Sequence, residues 1–311
     1  MAKVSVIIPT YNRADFLHVA ITSVLNQTFQ DFEIIVVDDA SKDRTSEVVN
    51  SFHDKRIKYF RHETNRGGSA GGSAARNTGI INSNCAYIAF LDDDDEWLPE
   101  KLGMQIEVLA ASPPEVGVVY TGYTVVDRAS GTILAQKNPT KRGDLSTDLL
   151  KENCLGNSSS IFLRKECFEK IGLFDEMIPG FEDYDVWIRL SRAFHFDYVE
   201  QPLVKYYVHS NQIWTNVDAI SQGVDMMLKK YGESPAFRKK MSYYYLSVGV
   251  SYCLDGNVKK GQKTCLKAIR LYPFEFRHYF YYCLSLLGLE SFKKLKKMKD
   301  NIITPLRCIW H

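Results

Sequence analysis

Four consecutive aspartates, Asp92, Asp93, Asp94 and Asp95, close the apolar run Tyr87-Ile88-Ala89-Phe90-Leu91. The run reads as a buried strand, so the carboxylates emerge at its carboxyl end, where open α/β sheets place their ligands. Four adjacent like charges repel one another. A hard divalent cation shared with phosphate oxygens would neutralise them; the plainer reading is a solvated acidic turn. A second acidic pair, Glu182-Asp183, follows Pro179-Gly180-Phe181 at a predicted helix start. A carboxylate there could act as a general base or serve only to complement the helix dipole.

The elements that must position these groups alternate. Residues 4–9 form a β-branched run, 14–26 carry helical spacing, 32–37 read as a strand and 45–52 as a helix. A short strand at 57–61, a helix near 73–82 and the strand ending at Asp92 complete the series. Repeated β-α-β order predicts a mostly parallel sheet covered by helices on both faces. From Val116 the pattern changes to strands at 116–126, 132–135 and 158–163, with helices at 164–171 and 183–193. After about residue 218 the chain reads as wholly helical. Residues 242–273 place Tyr245, Val248, Gly249, Tyr252, Gly256, Gly261, Cys265, Ala268 and Pro273 at tetratricopeptide-like spacings. One copy is too few for a solenoid, so a helical hairpin docked on the first domain is expected.

Bulk properties narrow the classes. The 311 residues suffice for one large domain and an appendage. The net charge of +2 conceals −10 over residues 1–228 and +12 over 229–311. Seven cysteines without CxxC spacing fit a reducing, cytoplasmic setting. The chain runs from Met1-Ala2-Lys3 straight into a strand, so no leader is expected. No apolar stretch is long enough to span a bilayer. The segment Lys293-Lys294-Leu295-Lys296-Lys297-Met298-Lys299, after the aromatic Tyr279-Phe280-Tyr281-Tyr282, suits an anionic membrane surface or simply a solvated face. No nucleic-acid recognition motif accompanies it.

Taken together, Val4-Ser5-Val6-Ile7-Ile8-Pro9-Thr10-Tyr11-Asn12-Arg13, Val36-Val37-Asp38-Asp39-Ala40-Ser41, Ala75-Arg76-Asn77-Thr78-Gly79, the aspartate run with Glu96-Trp97-Leu98-Pro99, Gly172-Leu173-Phe174-Asp175 and Glu182-Asp183 before Trp187-Ile188-Arg189-Leu190 resemble the family 2 glycosyltransferases of GT-A (Rossmann-like) fold. The resemblance covers about residues 3–215. It implies a transferase domain over 1–217, with a nucleotide-binding half to about 110 and an acceptor-binding half from 111; the basic helical region read from pattern and charge then occupies 218–311. It further implies Mn²⁺ or Mg²⁺ held by Asp94 and His209. The nucleotide-sugar, a UDP-sugar first, would meet Pro9, Tyr11, Arg13, Asp39, Arg76, Asp92 and Asp93. Asp183 would be the catalytic base of an inverting displacement, with Asp185 and Asp95 as understudy bases and with Glu182, Trp187 and, in its other role, Asp95 beside the acceptor. Asp93 could exchange roles with Asp92 or Asp94.

The resemblance points to a glycan or lipid-linked glycan acceptor, in polysaccharide or lipopolysaccharide synthesis, by a cytoplasmic protein peripheral on the membrane. The helical C-terminus could also pair with a second copy. Two other readings remain open: transfer to polyprenyl phosphate, and a non-catalytic nucleotide-sugar-binding module. The glycine-rich Gly67-Gly68-Ser69-Ala70-Gly71-Gly72-Ser73 lacks both the GK[ST] ending and the GxGxxG spacing of phosphate loops and reads as a flexible rim.

Overall fold

A computed structural model describes residues 3–66, 72–209 and 216–288. The β-branched runs become the strands β1 (Val4–Thr10), β2 (Phe32–Asp38), β3 (Ile57–Arg61) and β4 (Tyr87–Phe90). They lie in the order β3-β2-β1-β4, all parallel, with Ile7 opposite Ile35 and Phe90. Every residue of β1 and β2 is buried, as the near-continuous apolar runs of a two-faced parallel sheet require. The crossovers are α1 (Ala14–Leu25), α2 (Thr45–Ser51) and α3 (Ser73–Asn82).

Beyond β4 the chain adds β5 (Glu96–Trp97), α4 (Lys101–Ala111), β6 (Val116–Asp127), β7 (Ile133–Lys137), α5 (Asp148–Lys151), β8 (Ile161–Arg164), α6 (Glu166–Ile171), α7 (Glu182–Ser191) and β9 (His195–Val208). The sheet continues from β4 through β8, β6 and β9 to β5, with β7 on β6. β8 runs against β4 and β6, whereas β9 runs with β6. Six of the nine strands thus share one direction, so the sheet is mostly parallel, as expected. The helix α4 and the long strand β9 carried no signal that the sequence reading used.

One expectation needs correction. Residues 158–163 are not a uniform strand: Ser158–Ser160 forms a 3₁₀ turn, and β8 begins only at Ile161. Asn157 caps the turn through its Oδ1, which accepts from the Ser160 N–H. Small hydroxyl residues favour such local side-chain-to-backbone bonding over strand pairing.

The chain divides into two compact units. The first is residues 1–149, 154–177 and 182–212; the second is 150–153, 178–181 and 213–311. Within the second, α8 (Val217–Tyr231), α9 (Pro235–Leu254), α10 (Val258–Leu271) and α11 (Phe276–Leu286) follow one another. The tetratricopeptide-like spacings fall on the hairpin α9–α10. A Cβ built on Gly249 would lie 2.6 Å from Cys265 Sγ, and one on Gly261 2.3 Å from Cys253 Sγ, so both glycines are set by backbone approach. Tyr252 and Lys260 bond Asp218, and Tyr245 and Lys267 bond Asp225, tying α8 to the hairpin. The basic stretch 293–299 lies outside the described residues, as do residues 67–71 of the glycine-rich segment.

Close approach also governs the first unit. A Cβ on Gly79, in α3, would fall 2.4 Å from Cγ2 of the fully buried Ile7 on β1. Gly79→Ala is therefore expected to cost about 1–3 kcal/mol through overpacking, measured by denaturant unfolding. Combined with Ile7→Ala it should cost less than the sum of the two single changes; strict additivity would show that the contact is not the cause.

Candidate active site

The carboxyl ends of β1, β2 and β4 lie at one edge of the sheet, because those strands are parallel and in register. The start of the antiparallel β8 and the end of β9, a strand parallel to β6, reach the same edge. Topology alone therefore gathers Pro9, Tyr11 and Arg13, Asp39, the four aspartates, the Ser158–Ser160 turn and His209. Pro9 is buried and Tyr11 is exposed.

The aspartates are not equivalent. Asp92 is partly open and accepts from Arg76 Nη2 at 2.6 Å. Arg13 Nη1 donates to Asp93 Oδ1 at 2.9 Å and to Asp94 Oδ2 at 2.7 Å. Asp94 Oδ2 also lies 2.9 Å from His209 Nε2. Asp95 is turned inward: its Oδ2 accepts from Ser159 Oγ at 2.6 Å and its Oδ1 from the Tyr207 N–H at 3.3 Å. Asp95 thus braces the acidic turn against β9 and the serine turn.

Burial sets the charge of each group. It pushes Asp93 up to about 7, Arg13 opposing and Asp94 assisting. It raises Asp92 against the pull of Arg76. It drives Asp95 well above the carboxylate range, reinforced by Asp94 and Asp92. Burial would raise Asp94 too, but the His209 hydrogen bond and the Arg13 charge bring it below its ordinary value. Asp94 is accordingly the member of the run best held as an anion.

Asp183, half-buried at the start of α7, accepts from Ser158 Oγ at 3.0 Å. Its neighbour Glu182 is buried and lies 3.5 Å from Arg76 Nη1. Burial, then the Asp183 charge, pushes Glu182 up to about 8 against the attraction of Arg76. Arg76 itself is buried, and its Nε and Nη1 have no hydrogen-bond partner among the described residues; nor has Glu182 Oε2. Unmet donors on a buried guanidinium are costly, and they suit the oxygens of an anionic ligand.

Other candidates prove structural or doubly engaged. Trp187 is fully buried, and its Nε1 has no hydrogen-bond partner among the described residues. Asp185 is fully buried and accepts from Arg189 Nε at 2.9 Å, so it is not an understudy base. Asp39 accepts the Arg66 N–H through both carboxylate oxygens, at 2.9 and 3.0 Å, and His62 Nδ1 lies 2.6 Å from its Oδ1. Asp43 meets the start of α2, accepting from the Thr45 N–H at 3.0 Å. The Ala75-Arg76-Asn77-Thr78-Gly79 motif is explained residue by residue. Asn77 exchanges two hydrogen bonds with the backbone of Phe174, at 2.9 and 3.0 Å, Thr78 meets His62 Nε2, and Gly79 admits Ile7.

Ser158, Ser159 and Lys101 are not among the site residues expected from the sequence, and Trp97 enters there only as part of the motif that follows the aspartate run. Trp97 Nε1 donates to Ser159 O at 2.8 Å. Lys101, fully buried, stands 3.9 Å from the Trp97 ring centre and donates to Gln105 Oε1 at 2.7 Å. Burial lowers its ammonium well below the lysine range.

Comparison with known proteins meets this geometry. The profile described as "Glycosyl transferase family 2" matches residues 5–172, more than half of the chain. The chain belongs to glycosyltransferase family 2. An uncharacterized glycosyltransferase of Rickettsia typhi is 35% identical over 213 residues, 67% of this chain and 65% of its own length. The chain therefore spans just under two thirds of that relative. The Escherichia coli protein named UDP-Glc:alpha-D-GlcNAc-diphosphoundecaprenol beta-1,3-glucosyltransferase WfgD is 28% identical over 79% of this chain and 93% of its own. Among solved structures, residues 1–349 of TarS from S. aureus in complex with UDP superpose with a TM-score of 0.60 at 17% identity, covering 97% of this chain and 92% of that one. The family fold is GT-A, with the aspartate run at its parallel-strand edge.

The buried pair Arg76–Glu182 makes a pH prediction. Glu182 titrates near its ordinary 4.5 when unfolded and at about 8 when folded, so the folded chain holds the extra proton between these values. Stability from this group is full below about 4.5 and is lost as pH rises through about 8. The melting temperature of Glu182→Gln relative to wild type should therefore rise between pH 6 and pH 9. A pH-independent difference would place Glu182 in solvent.

Proposed function

We propose that this family 2 member is an inverting glycosyltransferase that moves a hexosyl or N-acetylhexosaminyl group from a UDP-sugar to a hydroxyl of a glycan, carried on a lipid, in cell-surface polysaccharide synthesis. The observation that carries the reading is the pairing, at one sheet edge, of an ionised Asp94 with a separate, half-buried Asp183. A binding module would need the first carboxylate and have no use for the second. The name of the E. coli relative and the UDP seated in the TarS structure support a uridine diphosphate donor. Attachment at a membrane surface through the basic C-terminal region, as a monomer or with a second copy, belongs to the same proposal. No described helix is long and apolar enough to cross a bilayer.

In this mechanism the nucleotide lies along the ends of β1 and β2, with Pro9 and Tyr11 under the base and Asp39 beside it. Arg76, with its unmet N–H groups, receives diphosphate oxygens. Asp92 and Asp93 face the donor, held by Arg76 and Arg13. Asp183 takes the proton of the acceptor hydroxyl as that oxygen bonds to the anomeric carbon. The bond from that carbon to the phosphate oxygen breaks on the opposite face, and its electron pair leaves with UDP. Single displacement in this geometry inverts the anomeric centre.

No cluster of three His, Cys, Asp or Glu side chains among the described residues forms a complete cation site. The donor set still fits Mn²⁺ or Mg²⁺. Asp94, held as an anion, stands beside an imidazole nitrogen of His209, and a carboxylate oxygen with an imidazole nitrogen is a donor set such ions accept. Such ions bind through one or two protein groups plus substrate phosphates and water. Asp94 and His209 would hold the ion, which when bound neutralises charge developing on the diphosphate.

The test is hydrolysis of a panel of UDP-, GDP- and dTDP-sugars, with Mn²⁺ or with EDTA. One UDP-sugar should be turned over, with loss of turnover in EDTA and in Asp94→Ala. Asp183→Asn should retain UDP binding while losing about 10²-fold or more in rate. Full hydrolysis in Asp183→Asn would show that this carboxylate is not the base; transfer to an added polyprenyl phosphate that is unchanged in Asp183→Asn would point to an acceptor that is already an anion. Absence of both turnover and metal-dependent UDP binding would overturn the enzyme reading.

A further inference from the structure

Three consecutive serines, 158, 159 and 160, are each fully buried in the 3₁₀ turn at the site edge. Buried hydroxyls need partners, and the partners here are specific. Ser158 Oγ donates to Asp183 Oδ2 at 3.0 Å. Ser159 Oγ donates to Asp95 Oδ2 at 2.6 Å and accepts the Asp92 N–H at 3.0 Å. Two adjacent residues, with Cα atoms about 3.8 Å apart, therefore reach the two separate acidic groups of the site.

The turn has a rigid footing. Ser159 O accepts from Trp97 Nε1 at 2.8 Å, and Ser160 O accepts from Gln105 Nε2 at 2.9 Å. Gln105 Nε2 also donates to Val119 O at 2.9 Å, and Lys101 holds both Gln105 Oε1 and the Trp97 ring. Two successive carbonyls just before β8 are thus fixed by β5 and α4.

We propose that Ser158 and Ser159 are positioning residues that set the base against the donor-binding aspartates. Ser158 engages Asp183 Oδ2 and so directs the other oxygen, Oδ1, toward the acceptor hydroxyl. Ser159 fixes the Asp92 backbone and the Asp95 side chain, and so sets where the Asp92 and Asp94 carboxylates stand. The inference rests on the transferase function proposed above and assigns the two serines opposite kinetic signatures. A common structural role would give them the same one.

The experiment uses the full chain and compares Ser158→Ala, Ser158→Cys, Ser159→Ala and wild type. It measures UDP binding in Mn²⁺ by calorimetry, hydrolysis of the UDP-sugar that the screen selects, and thermal melting. Ser158→Ala is expected to bind UDP within twofold of wild type while kcat falls about tenfold, the scale of one hydrogen bond to a charged group. Ser158→Cys, similar in size but a poor donor, should behave like the alanine variant. Ser159→Ala should weaken UDP binding about tenfold. Wild-type kcat in Ser158→Cys would make the role one of packing and overturn the proposal. So would equal losses of binding and rate in Ser158→Ala and Ser159→Ala that track melting. A wild type that neither binds UDP nor hydrolyses any donor overturns the parent function instead, and is distinguished by the wild-type measurement alone.

Discussion

The site depends on an excess of buried negative charge. Asp92, Asp93, Asp94, Asp95, Glu182 and Asp183 converge on one sheet edge, against the guanidinium groups of Arg13 and Arg76. Isolated buried carboxylates are too costly to remain charged, so the protein distributes the cost in different ways. Asp93, Asp95 and Glu182 are pushed toward the neutral acid. Asp94 is kept charged by His209 and Arg13. The arrangement is costly without ligand, and a cation with a diphosphate would relieve it by supplying positive charge to Asp94 and acceptors to Arg76.

That constraint explains why the surrounding fold is stiff. Arg76 sits on α3, which approaches β1 closely enough that residue 79 can carry no side chain. Asn77 on the same helix holds the Phe174 backbone in both directions. The guanidinium is thus positioned by backbone packing on one side and a paired amide on the other. Arg13 precedes α1 and spans Asp93 and Asp94. A like-charge cluster with looser cations would separate by rotamer change; here the cations are part of the frame.

The parallel half of the fold was legible because apolar runs at 4–9, 32–37 and 87–91 can be buried only between two helical layers, and their carboxyl ends then coincide. The aspartates, Arg76 and Asp183 followed from spacing and resemblance, and the structure brings them to one edge. Less legible were groups whose partners are distant in sequence. Nothing near Lys101 announces that a lysine will be buried over Trp97, since lysine ordinarily reads as surface. Ser158-Ser159-Ser160 precedes an apolar run and was read as its beginning; the distinction lies in Asn157, which caps a turn. Sequence spacing makes Asp185 an understudy to Asp183, and it does not show that Arg189, one helical turn away, occupies it.

The buried lysine also shows how the two halves of the sheet are joined at the site. Lys101 belongs to α4, just after the acidic run, and its Nζ is fully enclosed without a carboxylate hydrogen-bonded to it among the described residues. Desolvation disfavours its ammonium, so Lys101 acts as a long amine that packs under Trp97 and donates to Gln105. Gln105 then binds β6 through Val119 O and the β8 entrance through Ser160 O. Gln27 performs a matching function from the α1 side, donating to Leu98 O and accepting the Leu102 N–H. The acidic turn is therefore bounded by amide side chains that carry no charge of their own. Neutral donors hold these backbone groups, and the groups that meet the aspartates are Arg13, Arg76 and His209, while Lys205 pairs with the neighbouring Glu96.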